Sequence, residues 1–227
     1  MTQTTLIRRV PGHRPRLLDL FCCQGGAASG YAAAGFDVTG VDINPQPRYP
    51  FRFVQGDAVE YVREHGAEFD FIHASPPCQR YSRAQKIQRR DHPDLIAPTR
   101  AALAATGRPW VIENVEEAAA ELRDPVVLCA AAFGMRTYRH RLFETGGGFT
   151  FASPLHPAHR APLTKMGRPR AAGHFAHYVG NFSGVQEARI DLRVPWMNRD
   201  GIRECIPPAY TQWIATAFRA SRMEVAA

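Results

Sequence analysis

Short apolar runs alternate with segments of helical composition along the first 145 residues. The strand-like runs lie at 16–21, 37–43, 51–58, 69–75, 109–115 and 139–145. The helix-like segments comprise a small-residue stretch closed by Gly35, then about 58–66, 92–106 and 116–122. This alternation predicts an α/β fold, a mostly parallel sheet with helices on both faces. Such sheets bind ligands beyond the carboxyl ends of their strands.

The pattern changes after residue 145. Residues 146–195 are rich in Gly, Pro, His and Arg and keep no sustained period, so we expect a small, loop-rich insertion. Order returns at 196–220, where Pro207 and Pro208 precede an amphipathic helix. The sequence thus predicts a core at 14–145, an insertion at 146–195 and a closing segment at 196–220.

Charge points to a polyanionic partner. The chain of 227 residues has a net charge of +7 and a pI near 9.5. Its basic residues cluster at 80–90, 136–141 and 160–170, which favours nucleic acid.

Cysteine usage indicates a reducing compartment, and hydropathy gives no sign of a membrane-spanning segment. The five cysteines include an adjacent pair and show no paired metal-ligand spacing, so reduced thiols are expected. The chain starts without the apolar run of a signal peptide, and no apolar stretch is long enough for a bilayer. We therefore expect a cytoplasmic monomer with no membrane partner.

Polar residues follow the first three strands where a cofactor would bind. Gly25 and Gly26 form a turn before a helix, Asp42 ends the second strand, and Asp57 follows the third. A carboxylate at Asp42 suits the two hydroxyls of a ribose, and Asp57 suits the exocyclic amine of adenine. Because the turn carries no basic residue, the pattern favours S-adenosylmethionine over NAD.

A thiol and a carboxylate follow two later strands. "SPPCQ" at 75–79 presents Cys78, and "IENV" at 112–115 presents Glu113, both at the same predicted sheet edge. With a methyl donor, this pair suits methylation of cytosine at C5. A thiolate adds to C6 and makes C5 nucleophilic, while a carboxyl group meets the charge on N3. Arg139 and Arg141 would hold O2, assist the thiolate and contact phosphate, and the base must leave the duplex to reach the cleft.

These motifs resemble the DNA (cytosine-5) methyltransferase family. "DLFCCQGG", "SPPCQ", "IENV" and "RHRLF" occur in the family's order, and "ECIPPAYTQWIA" is similar to its last motif, which returns to the cofactor pocket. The resemblance covers about 16–145 and 195–218. It implies a Rossmann-like S-adenosylmethionine-dependent methyltransferase fold acting on duplex DNA by base flipping, with S-adenosyl-L-homocysteine as product. A restriction–modification system, a phage or a lone bacterial enzyme would all fit.

The resemblance also assigns residues. It implies Cys78 as nucleophile, Glu113 as the N3 partner, and Arg139 and Arg141 as the paired arginines. The cofactor pocket would be lined by Phe21, Gln24, Gly25, Gly26, Asp42, Ile43, Asp57, Ala58 and Pro77. Residues 80–90 resemble the loop that closes over DNA, and the expected nucleic-acid contacts are Gln79, Arg80, Ser82, Arg83, Lys86, Lys165 and Arg168.

The chain departs from the family pattern at three places. Cys23 replaces a glycine of the turn, so we expect its backbone to avoid the most strained conformations. Thr137 stands where the arginine motif has glutamine, and "RECIPP" replaces the glycine–asparagine pair before the last motif. None of these changes removes a reacting atom.

The insertion contains motifs that indicate a function less specifically than those of the core. Its short length predicts a recognition site of about two to four base pairs, with Arg160 and Arg170 as further phosphate contacts. The pairs "HPAH" at 156–159 and "HFAH" at 174–177 have donors for zinc, but we expect no metal there, since proline breaks the helix that such spacing needs. Cys129 is expected in the core.

Three alternatives stay open. The same chemistry could act on transfer RNA, the fold could serve as a non-catalytic DNA-binding module, or the glycine turn could belong to a nicotinamide oxidoreductase. Assays on both nucleic acids, a Cys78→Ala variant and calorimetry of cofactor binding separate them.

Overall fold

The computed structural model describes residues 14–77 and 94–224. Its strands are β1 (Arg16–Leu20), β2 (Asp37–Asp42), β3 (Arg52–Gln55), β4 (Phe71–Ala74), β5 (Trp110–Asn114), β6 (Val126–Leu128) and β7 (Arg141–Gly146). Its helices are α1 (Gly26–Ala33), α2 (Ala58–His65), α3 (Ile96–Ala105), α4 (Val185–Leu192), α5 (Arg199–Glu204) and α6 (Pro208–Glu224). Short 3₁₀ turns occupy Gly66–Glu68, Glu116–Glu121 and Ala130–Phe133.

The strands form one seven-stranded sheet in the order β3-β2-β1-β4-β5-β7-β6. Strands β1 to β5 pair in parallel, whereas β7 runs antiparallel to both β5 and β6. The strand order reverses between β1 and β4, and that switch point opens a crevice at the carboxyl ends. The predicted mostly parallel α/β sheet is confirmed.

Side chains alternate between two cores, one on each face of the sheet. Leu17 of β1 packs in the core that contains Tyr31 of α1 and Phe218 of α6. The neighbouring Leu18 packs in the other core, with Val62 of α2. Helices therefore cover both faces, as the apolar runs of the strands require.

Several boundaries differ from the sequence prediction. Residues 116–121 form a 3₁₀ helix, and β6 is a strand of three residues that was not predicted. Helix α4 lies within the region expected to be loop-rich. Propensity and periodicity carry little information over such short elements, so packing decides them.

Helix α6 returns to the start of the chain. A Cβ atom at Gly30 of α1 would overlap the carbonyl oxygen of Pro208 and the hydroxyl of Thr211, so only glycine allows this approach. The Thr211 hydroxyl donates to the Ala27 carbonyl at 2.8 Å. Within the described ranges, no helix combines the length and apolar character of a membrane span.

Candidate active site

The turn after β1 is held in a left-handed backbone conformation. Phe21 has a φ of 59°, Cys23 of 45° and Gly25 of 81°. Cys23 therefore adopts a left-handed conformation, which costs a residue with a side chain about 1 kcal/mol. Its N–H donates to Oδ2 of Asp42 at 3.0 Å, and this bond holds the strained turn in place.

Asp42 ends β2 with both carboxylate oxygens in use by the backbone. Oδ2 accepts from Cys23, and Oδ1 accepts from the N–H of Asn44 at 2.9 Å. Each oxygen keeps a further lone pair, which leaves room for two hydroxyl donors. Ile43 follows with 65% of its surface exposed, giving an apolar platform beside the carboxylate. The pair fits a ribose with a planar base next to it.

Asp57 follows β3 and caps α2. Its Oδ1 accepts from the N–H groups of Val59 at 2.8 Å and Glu60 at 2.9 Å. Among the described residues its Oδ2 makes no hydrogen bond, so this oxygen can accept from a ligand amine. Ala58 is buried at the first position of the helix.

Gln24 links the turn to the closing segment of the chain. Its Nε2 donates to Oδ1 of Asn198 at 2.8 Å, and its Oε1 accepts from the Asn198 N–H at 3.1 Å. Its carbonyl accepts from the indole N–H of Trp196 at 2.7 Å. The amide expected to line the cofactor pocket therefore has a partner in the protein, and Gly26 packs against Ile206 and Cys205 behind it.

Acidic groups concentrate at this end of the crevice. Burial raises the pKa of Asp19 well above its ordinary value, although it accepts from the Tyr49 hydroxyl, and Asp42 raises it further. Burial also raises the pKa of Glu204, which hydrogen-bonds to Cys23 and lies close to Asp42. A cationic ligand would stabilise the ionised forms of these carboxyl groups, whereas a pyrophosphate would disfavour those forms further. The site therefore fits the sulfonium and ammonium groups of S-adenosylmethionine better than NAD.

Glu113 lies on β5, two strands from β1 along the same edge. Only 6% of its surface is exposed. Burial raises its pKa, while Arg141, Arg139 and a hydrogen bond from Ser75 act in the opposite direction. The net effect favours the protonated carboxyl over a wider pH range than in water.

The proline turn after β4 is tied to β5. Asn114, next to Glu113, donates its side-chain N–H to the Pro76 carbonyl at 2.9 Å. Pro77 is the last residue described before the gap. Cys78, the expected nucleophile, lies outside the described residues, but the chain enters position 78 from the turn that Asn114 anchors.

A buried chain of polar groups leads to Glu113 from beneath. The Tyr31 hydroxyl lies 3.1 Å from Nδ1 of His73, and Nε2 of His73 lies 2.9 Å from the Ser75 hydroxyl. Burial lowers the pKa of His73 to about 3, so the imidazole is neutral. A neutral ring that accepts from Tyr31 must donate to Ser75, which leaves the Ser75 proton for Glu113.

The two arginines before and at the start of β7 have different surroundings. Nε of Arg141 lies 2.9 Å from Oε1 of Glu113. Arg139 is buried and donates to the carbonyl oxygens of Tyr178, Ile202, Arg203 and Cys205, at 2.7 to 3.1 Å. Burial lowers its pKa to about 10. The expectation that Arg139 contacts substrate is therefore corrected: its donors hold the insertion and the closing segment.

The expected nucleic-acid contacts divide into two groups. Gln79, Arg80, Ser82, Arg83 and Lys86 lie outside the described residues. Lys165 and Arg168 are exposed, and neither forms an ion pair within the described ranges. Arg170 differs from expectation, because it forms a largely buried ion pair with Asp191 of α4.

The sequence did not predict the buried polar side chains beneath the site. Asp19, Tyr31 and His73 read as parts of apolar runs, and their polar role appears only once the strands are paired. The one available signal was a polar residue at a position of a buried strand, as with His73 inside "FDFIHAS".

Comparisons with known proteins find similarity to a named methyltransferase. No family model matches the chain. The chain is 26% identical over 196 residues to the type II methyltransferase M.AquIA of Picosynechococcus sp., which covers 64% of this chain and 79% of that protein.

Two solved structures are similar to part of the chain. One is an E. coli prophage protein assigned as a DNA modification methyltransferase, with a TM-score of 0.38, 24% identity, and 58% of this chain and 46% of that chain covered. The other is the Dnmt2 methyltransferase of S. pombe, with a TM-score of 0.44, 18% identity, and 62% and 52% covered. The chain spans about half the length of these structures, so what it does has to be argued from its own residues.

Proposed function

We propose that the protein transfers a methyl group from S-adenosylmethionine to C5 of cytosine in duplex DNA. The observation that carries the proposal is Glu113, a buried carboxyl with a raised pKa beside Arg141 and next to the proline turn that leads to Cys78. A thiol, a proton-holding carboxyl and a guanidinium at one crevice suit covalent activation of a pyrimidine. The similarity to a type II methyltransferase supports methyl transfer as the reaction.

The cofactor would be held at the β1–β2–β3 end. Asp42 would accept the ribose hydroxyls, Ile43 would pack on the adenine, and the free oxygen of Asp57 would accept from its amine. The acidic surroundings of Asp19 and Glu204 would favour the cationic half of the molecule. Bound there, S-adenosylmethionine supplies an electrophilic methyl group.

Cys78 would add electrons to the cytosine ring, and Glu113 would stabilise the negative charge that this addition places on N3. The Cys78 thiolate forms a bond to C6 of cytosine, and the electron pair of the C5–C6 double bond moves toward N3. Glu113 meets this charge with a hydrogen bond or its proton, so that C5 becomes the nucleophile. After the methyl group is on C5, a base removes the C5 proton and the bond to Cys78 breaks. The free enzyme is then restored.

Arg141 and Arg139 would have separate roles. Arg141 faces Glu113 and would orient it and bind O2 of the base. Arg139 would be a positioning residue, because its guanidinium fixes the carbonyls of the closing segment. Its own carbonyl accepts from the Tyr210 hydroxyl at 2.6 Å, which ties helix α6 to the same point.

The nucleic acid would bind across the basic loop and the insertion. The residues at 79–86 and the exposed Lys165 and Arg168 would contact the phosphates, with the flipped base between Cys78 and Glu113. The small insertion at 146–195 would limit the recognition site to a few base pairs.

Nucleoside mass spectrometry tests this function directly. The protein is incubated with S-adenosylmethionine and, in parallel, with mixed-sequence duplex DNA and transfer RNA. We expect 5-methyldeoxycytidine in the DNA and no product with a Cys78→Ala variant. Methylation at N4 of cytosine or N6 of adenine would overturn the C5 assignment, and 5-methylcytidine in the transfer RNA alone would overturn the substrate.

A further inference from the structure

Four metal-ligand side chains from three segments of the chain meet around His140. Cys129 follows β6, His140 stands between the two arginines, and His156 and His159 open the insertion. Their donor atoms all lie within 4.8 Å of one another. Cys129 is buried at the base of this cluster, His140 is half-buried, and the other two rings are exposed.

The distances inside the cluster match those between ligands of one metal ion. Nε2 of His140 lies 3.1 Å from Nε2 of His156, and Sγ of Cys129 lies 3.4 Å from Nε2 of His159. In a tetrahedral zinc site, bond lengths of about 2.0 Å to nitrogen and 2.3 Å to sulfur place nitrogens about 3.3 Å apart and sulfur about 3.5 Å from nitrogen. The two pairs already have nearly these separations.

A carboxylate fixes the orientation of one ring. Nδ1 of His140 lies 3.1 Å from Oε2 of Glu116, so the carboxylate holds the proton on Nδ1 and leaves Nε2 free to bind a metal. This is the outer-sphere arrangement usual for zinc-bound histidines. The ring of His159 is held by stacking on Tyr138, with centroids 3.7 Å apart.

We propose that Cys129, His140, His156 and His159 bind one zinc ion that fastens the insertion to the catalytic core. The sequence predicted no metal, because proline breaks the helix that the spacing of His156 and His159 would need. The structure removes that objection: the loop brings both imidazoles to ligands from two other segments. The pair at 174 and 177 does not belong to the cluster.

The need for such a link follows from the insertion itself. Residues 147–184 contain no helix or strand, and the regular backbone pairing described in them is one isolated β-bridge between Leu163 and Phe175. A segment with so little regular structure gains order from a metal that crosslinks its start. The link also reaches the crevice, since Nη1 of Arg141 donates to the His140 carbonyl at 2.8 Å.

Metal content of the untagged full-length protein tests the proposal. After dialysis, mass spectrometry should find one zinc per chain in the wild type and in the His174→Asn/His177→Asn control, which has the same spacing. The His156→Asn/His159→Asn variant should lose it. Zinc far below one per chain after zinc loading, or full zinc in that variant, would overturn the proposal.

Two further measurements stand if the double variant does not fold. Cobalt added to the metal-free wild type should give the absorption of a tetrahedral ion with a thiolate charge-transfer band, which Cys129→Ser removes. Glu116→Gln should weaken zinc binding by roughly 10- to 100-fold, whereas Glu121→Gln, at the other end of the same 3₁₀ helix, should not. An octahedral cobalt spectrum without the thiolate band, or equal affinities in the two glutamine variants, would contradict the site.

Discussion

Two halves of one sheet edge each bury a carboxyl group with a raised pKa, but they surround it differently. Asp19 on β1 has a tyrosine hydroxyl as partner and further acidic groups nearby. Glu113 on β5 lies against Arg141, with Arg139 behind. In the β1–β3 half a cationic ligand would favour the ionised forms of these acidic groups, whereas the β4–β5–β7 half offers a proton and positive charge.

This difference separates two tasks that methyl transfer requires. A cationic donor is best held among carboxylates, and a base that gains electrons is best held by a proton and a guanidinium. Under the proposed function, damage to one half should spare the other.

Cys78→Ala should abolish methylation while leaving the cofactor half intact. Loss of the nucleophile should lower the rate by at least about 1,000-fold. Calorimetry should give an S-adenosylmethionine affinity within about twofold of the wild type, because the thiol belongs to the other half. A variant that still methylates would leave Cys78 as an ordinary residue of the proline turn.

The two arginines should fail in different ways when each is replaced by methionine. Arg139→Met leaves buried carbonyls without donors, so the free energy of unfolding should fall by about 3 kcal/mol or more, a drop in Tm of roughly 6–12 °C. Arg141→Met should lower Tm less, because Glu113 can take up a proton when its partner is lost, but it should lower the methylation rate by about 100-fold. Calorimetric melting and single-turnover rates measure both. Matching losses of stability in the two variants would contradict the division.

Asp42→Ala should weaken cofactor binding by roughly 10- to 100-fold, because the cofactor's hydroxyl groups lose their hydrogen bonds to a charged carboxylate. Asp37→Ala, at the other end of the same strand and exposed, is the matched control and should bind normally. DNA affinity, measured by fluorescence anisotropy, should be unchanged in both. Equal cofactor affinity in the two variants would remove Asp42 from the pocket.

Asp19→Asn should raise Tm at neutral pH, the smallest of these effects. Because the folded-state pKa of Asp19 is raised, the native state keeps a proton that the unfolded chain releases above about pH 3.9. Stability from this proton is present at low pH and is lost as the pH rises through the folded pKa. Asparagine cannot ionise, so the advantage of the variant should shrink as pH falls toward 4. An advantage that is constant with pH would contradict this origin.

The sequence was enough to predict the sheet and the residues at its edge. Period and length identified the parallel strands, and the ends of those strands carry Asp42, Asp57 and Glu113 at the edge where sheets of this kind bind ligands. The register was not predictable, because antiparallel β7 is placed by its pairing with β5 rather than by any local pattern. The three residues of β6 are likewise too few to show a period.

Roles that depend on side-chain partners were harder to predict. Arg139 and Arg141 differ only by position in "RHR", yet one is buried among carbonyls and the other faces Glu113. Cys129 was expected in the core, and it is buried, but its sulfur faces a histidine 30 residues away. Such contacts depend on how distant segments pack, and sequence spacing does not contain that information.

Covalent trapping on 5-fluorocytosine tests the central claim most directly. Duplex DNA made with 5-fluorodeoxycytidine triphosphate carries the analogue at every cytosine, so any recognition sequence is present. Since fluorine cannot leave C5 as a proton does, the bond from Cys78 to C6 should persist. The account predicts a denaturant-resistant protein–DNA species that needs S-adenosylmethionine and is absent with Cys78→Ala. A wild-type protein that binds both the cofactor and this DNA yet forms no such species would contradict it.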